Sequence, residues 1–230
     1  MNLLGDNMTK IRKYLLIGII GSIITVVGEL SGGLCASTDL SNHVTQVMSA
    51  FDNIPVWRIG FCSSVGAIGI LLQYYGYEAL YLALEDKSTM GAKLMHYGNY
   101  GFTIFGSLVH VVLCMLIYVY HINVGNPNLY AEVFAYATWF VTPILVIFAL
   151  GYLVYCLANL VLYFKAKSIF PKWCWLLNPL FGKLFFNILY EFKPGTALSN
   201  GISFANMGLT SLFTMIVFYL CLKNNRENIV

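Results

Sequence analysis

Six stretches of this chain are each long and apolar enough to cross a bilayer, and that repetition limits the fold more than any motif does. A helix that crosses roughly 30 Å of hydrocarbon needs about 20 mostly apolar residues. The runs cover approximately 14–34, 57–84, 98–120, 131–164, 172–192 and 202–222. Only short polar links separate them, so no soluble domain fits between them and residues 1–230 read as a single integral membrane domain. Composition points the same way, with 59% hydrophobic and 10% charged residues, against roughly 45–50% and about 25% in soluble domains. Lipid offers the backbone no hydrogen-bond partners, so apolar runs of this length must be helices. The predicted fold class is all-α, a polytopic transmembrane bundle of about six helices.

The net charge of +3 is small and scattered, which argues against a nucleic-acid partner. Its placement is more informative. If the N-terminus is cytoplasmic, Lys10, Arg12, Lys13, Lys87, Lys93, Lys165, Lys167, Lys172, Lys223 and Arg226 fall inside, while Arg58 and Lys193 fall outside and Lys183 lies within a span. That is ten cations against two, the asymmetry expected of cytoplasmic loops. Both termini are therefore predicted to be cytoplasmic (N-in/C-in), which requires an even number of crossings, and the location read from the sequence is a plasma (inner) membrane. Lys10, Arg12 and Lys13 ahead of an apolar stretch also suit a secretory signal peptide. With no lipobox-like run before Cys35, the segment is read as the first span.

Local signals qualify the count. Asn178-Pro179 interrupts the fifth run: Asn178 suits the cap of a helix starting at Pro179, so the fifth helix is expected to be broken or re-entrant there. The fourth run, 34 residues with Pro143 and Gly151, should kink, tilt or extend beyond the bilayer. Gly18 and Gly21 in the first span, with Gly60, Ser63, Ser64 and Ala67 in the second, predict close packing of these two helices. Trp57, Trp173, Trp175 and the tyrosines 74, 75, 77 and 81 suit interfacial belts. The six cysteines form no C-x-x-C pair and read as small hydrophobes, with a Cys35–Cys62 disulfide left open. No phosphate-binding, zinc-protease or nucleophile-elbow signature occurs, and neither metal nor cofactor is called.

What remains is the set of polar groups at membrane depth, which cost about 2.5–3.5 kcal/mol when ionised and so usually face a bundle interior or cavity with a partner. Glu29 lies late in the first span and His110 near the middle of the third. These two are the candidate general acid and base, or a proton relay. Arg58 opens the second span, where its long stem can reach toward Glu29. Lys183 and Asn187, one turn apart, and Asn206 and Asn178 complete the candidate ligand-binding set. Most of these fall in the outer half. The bland alternative is a buried Glu29 bridge to Arg58 or Lys183 with His110 as a packing residue. On the inner side, Glu78, Glu85 and Asp86 beside Lys87 and Lys93 read as a solvated helix end.

Gly28-Glu29 late in the first span, then "IPVWRIGFCSSVGAIGILLQYYGYEALYLAL" and a histidine in the third span, resemble an uncharacterised bacterial family of multi-pass membrane proteins. That family has Gly-Asp in the first span, Pro-x-Trp-Arg opening the second and a histidine in the third. The matching positions are Gly28, Pro55, Trp57, Arg58 and His110, with Glu29 where the family has aspartate. The resemblance covers roughly the first half of the chain. It implies a bacterial inner-membrane location and names no activity. Three functions are compatible with these residues. One is binding or modification of a small hydrophobic or amphiphilic, lipid-like molecule in an outward pocket. Another is a small proton-coupled transporter using the Asn178-Pro179 break, although no inverted repeat relates the two halves. The third is a non-catalytic partner or sensor subunit. Membrane lipids are the expected partners, and oligomeric state is not legible.

Overall fold

The computed structural model describes residues 3–165 and 168–227, with side chains described over 7–165 and 168–223. Lys167 and the side chain of Arg226, both counted in the charge distribution, lie outside these ranges. Among the described residues the regular structure is helical: α1 (Leu3–Gly33), α2 (His43–Ser49), α3 (Val56–Leu82), α4 (Met90–Ile122), α5 (Leu129–Tyr136), α6 (Thr142–Phe164), α7 (Pro179–Glu191), α8 (Ala197–Phe204) and α9 (Asn206–Glu227). Five segments are long and apolar enough to cross a membrane: Asn7–Gly33, Val56–Leu82, Met90–Ile122, Leu129–Phe164 and Asn206–Lys223. The lateral surface is apolar, with Ile20, Ile68, Leu150 and Phe213 each more than half exposed, as expected of a face meant for lipid.

Small residues set the closest contact in the bundle. Along α1 they recur at Gly18, Gly21, Thr25, Gly28 and Gly32, and along α3 at Cys62, Gly66, Gly69 and Gly76. The two helices meet in one antiparallel register. A Cβ on Gly21 would lie 2.8 Å from the Gly69 carbonyl, one on Gly28 2.7 Å from the Gly66 nitrogen, and one on Gly32 2.9 Å from Cys62 Sγ. Gln73 donates to Thr25 Oγ1 at 2.8 Å within this seam. The expected tight packing is present through Gly18 and Gly21, whereas Gly60 faces open space. α4 packs antiparallel to α3 (Ser107 to the Ala67 carbonyl, 3.2 Å). α6 packs antiparallel to α4, where a Cβ on Gly151 would lie 2.9 Å from Gly101.

Pro143 has the effect expected of it. It cannot donate a backbone N–H, and the preceding turn, Ala137–Val141, widens into a π-helix in which the Thr142 hydroxyl donates to the Ala137 carbonyl at 3.0 Å. The fourth run is thus one long element, α5–π–α6, extending beyond a perpendicular crossing.

The fifth run breaks at Asn178. A 3₁₀ turn, Lys172–Leu177, descends into the bundle, and α7 begins at Pro179 with only 13 residues, about 20 Å of helix. Thr214 donates to the Leu177 carbonyl (3.1 Å) and Tyr190 of α7 accepts from Gln46 (2.8 Å). The turn and α7 together therefore make one crossing whose first half is irregular. Non-helical backbone at membrane depth requires protein cover, and Cys174, Leu177 and Asn178 are buried. α8 and α9, interrupted at Ala205, make the return crossing. Arg12 donates to Tyr219 at 3.0 Å, so the start of α1 and the end of α9 share one end of the bundle. The opposite end is covered by residues 34–55. Asn42 and Thr45 form a capping box at the start of α2, and Asn200 donates to the Cys35 carbonyl at 2.8 Å.

Candidate functional site

The helices line a partly open cavity of about 310 Å³ in the half of the bundle beneath that cap. Its walls are mainly apolar, from Phe51, Phe102, Phe148 and Phe204 among others, and Thr25, Glu29, Gln73, His110, Lys183 and Asn206 line it as well. Four of the seven residues singled out from the sequence thus share one space. Glu29 and His110 are 4% and 8% exposed.

Glu29 and His110 are each seated against a glycine. Glu29 sits one residue after Gly28, so the glycine seam against α3 turns the carboxylate into the cavity. There it faces Gly208 at the start of α9, where a Cβ would come within 2.6 Å of Oε2. That oxygen is buried with no hydrogen-bond partner among the described residues. Oε1 lies 3.9 Å from His110 Nδ1, beyond a direct hydrogen bond but near enough for a water or a ligand oxygen to bridge the two. The His110 ring occupies the gap left by Gly66, whose missing Cβ would fall 2.8 Å from Cε1. Lys183 Nζ lies over the Tyr152 ring, 5.8 Å from its centroid, within cation–π range.

The other three residues are elsewhere. Arg58 does not pair with Glu29. Its guanidinium donates to the Ser31 and Leu34 carbonyls, satisfying the exposed end of α1 in the way cations favour helix C-termini. Asn187 is exposed and does not line the cavity, and its Oδ1 accepts from Asn206 at 3.0 Å. Asn178 caps α7 by accepting from the Leu180 amide (3.1 Å) and donates to the Cys156 carbonyl (2.8 Å) and Asn159 (3.1 Å).

Two constellations were not legible from the sequence. Glu78, read as part of a solvated helix end, is 7% exposed and lies 2.9 Å from His96. The second is behind His110, where Nε2 approaches Cys62 Sγ at 3.7 Å and Cys114 Sγ at 3.9 Å, with the two sulfurs 3.7 Å apart. Nε2 is also 2.9 Å from the Cys62 carbonyl. Only the His110–Cys114 spacing of four, which places both on one helix face, was available from the chain. Cys62 comes from another helix, and all six cysteines are free, so Cys35 and Cys62 are not bridged.

Fold and surface define an all-α polytopic membrane protein with a mainly apolar cavity that carries a few polar groups. The chain belongs to the family of unknown function DUF6796, whose model matches residues 1–225. An uncharacterised family was expected, and the family matched is one of unknown function that covers nearly the whole chain. Neither a curated protein nor a solved structure matches it.

Proposed function

We propose that the cavity binds a small amphiphilic, lipid-like molecule. Its polar end meets Glu29, His110 and Lys183, and its apolar part lies against the phenylalanine walls. The observation that carries this reading is the convergence of these three groups on one apolar-walled space, with a buried carboxylate oxygen left without a partner. A volume of about 310 Å³ is at the lower end for ligand pockets, which typically run to several hundred Å³ with few, well-placed polar groups. Glu29 and His110 facing each other across a gap also suit acid–base chemistry on a bound headgroup. The chain is oriented with both termini in the cytoplasm of a bacterial cell, following the ten-to-two distribution of cations. The cavity then lies in the outer half of an inner membrane.

The transporter reading loses its binding feature, because every Asn178 side-chain group is engaged by protein. A purely structural role for Glu29 predicts that glutamine replaces it without loss. Native mass spectrometry with lipid analysis of gently purified wild type, Glu29→Gln and His110→Ala decides the matter. A molecule carried by the wild type and lost from both folded variants supports binding. The same bulk lipids on all three would overturn it.

A further inference from the structure

We infer that Cys62, His110 and Cys114 form a binding site for a thiolate-seeking d¹⁰ metal ion, zinc(II) or copper(I), buried between α3 and α4. The geometry is that of three corners of a tetrahedron. An ion about 2.3 Å from sulfur and about 2.0 Å from nitrogen separates two tetrahedral sulfur ligands by about 3.8 Å and sulfur from nitrogen by about 3.6 Å. The triangle here has edges of 3.7, 3.7 and 3.9 Å. Two sulfurs and one imidazole are a soft donor set, suited to zinc or monovalent copper and not to magnesium or calcium. Cys62 and Cys114 are each 1% exposed, so the site is shielded from competing water and fixed by helices on both sides.

Two further observations point to an ion. The imidazole has its second nitrogen directed at Glu29, 3.9 Å away. This is the carboxylate–histidine arrangement that orients metal-bound histidines, with Glu29 Oε1 as the oxygen that would accept from the imidazole once the ring shifts toward it. Gly66 supplies the space in which that ring sits. Binding of a divalent ion exchanges two thiol protons for two metal–sulfur bonds and releases both protons. Nε2, which in this arrangement donates its proton to the Cys62 carbonyl, binds the ion only as the other tautomer: the Nε2 proton is lost to water and Nδ1, facing Glu29, takes one up, so the imidazole stays neutral and Nε2 offers its lone pair. Zinc then leaves the two thiolates neutralised, which suits an apolar surrounding.

Cys62 and Cys114 do not line the cavity, whereas His110 and Glu29 do, so the metal site shares these two residues with amphiphile binding and the cysteine variants tell the two apart. The test is the metal-to-protein ratio, by inductively coupled plasma mass spectrometry, of detergent-purified full-length protein. The protein is loaded with zinc(II), or with copper(I) under reductant, and then freed of excess by gel filtration. Wild type should retain about one equivalent of one of these ions, and the preferred ion identifies the site's metal. Cys62→Ser and Cys114→Ser should retain under a tenth of that, and Glu29→Gln should bind about 10–100-fold more weakly. Cobalt(II) added to wild type should give a thiolate-to-cobalt charge-transfer band, a readout that needs no variant to fold. Wild type that holds no more metal than the Cys62→Ser/Cys114→Ser double variant and gives no such band, or whose intact mass shows Cys62 and Cys114 joined as a disulfide, overturns the inference.

Discussion

Gly28 and Gly60 are both glycines near the cap end of their helices, yet only one is constrained. A Cβ at Gly28 would meet the Gly66 nitrogen and Cα at 2.7 and 3.1 Å, and backbone cannot move aside, whereas at Gly60 nothing lies within 4 Å. Gly28→Val should therefore cost about 1–3 kcal/mol through overpacking, while Gly60→Val should stay within about 0.5 kcal/mol. Reversible unfolding in mixed micelles measures both, and equal effects would contradict the α1–α3 seam. The same seam explains what the sequence could and could not say about single residues. Depth along a span is readable from residue number, so the shared level of Glu29, His110, Lys183 and Asn206 was visible. Lateral position is not. Arg58 was within reach of Glu29 by length alone, but the open carbonyls at the end of α1 lie closer. Glu78 looked solvated because lysines follow it in the chain, and its actual partner, His96, lies on the next helix.

At the scale of elements, α7 is too short to cross alone and depends on its start. Asn178 makes three hydrogen bonds from a position 2% exposed. Asn178→Ala removes a helix cap worth about 1 kcal/mol and strands a buried carbonyl and amide at about 1–3 kcal/mol. A loss of about 2–4 kcal/mol is expected. Asn159→Ala, which removes only one of these bonds, should cost less, and the reverse order in thermal unfolding would contradict this role for Asn178. The break was legible because proline restricts the residue before it. The 3₁₀ turn that fills the other half of that crossing carried no comparable signal, since its tryptophans suit an interface equally well. The covering role of residues 34–55 was hidden for a different reason. Polar residues in a short link look like any solvated loop, and the capping box at Asn42 and Thr45 fixes a helix locally without saying what lies beneath it.

For the whole molecule, six hydrophobic runs predicted six crossings: five are helices long and apolar enough to cross, the fifth run is a 3₁₀ turn followed by the short α7, and the start of α1 and the end of α9 meet where Arg12 reaches Tyr219. Patterning carries that much, because each run must satisfy its own backbone. How the crossings close around a space depends on which faces meet, and that is set by side-chain volumes distributed over several helices. The cavity is the central consequence, and volume is its defining property. Val109 is 6% exposed and lines the cavity without contributing a polar group. Val109→Phe should fill part of the space and leave Glu29, His110 and Lys183 in place. Native mass spectrometry of this variant beside wild type, in the same detergent, separates a molecule held inside the bundle from lipid held around it. The account predicts that the bound mass carried by wild type is lost from a folded Val109→Phe protein. Equal occupancy in the two proteins, or a wild type that carries nothing beyond bulk lipid, would contradict it.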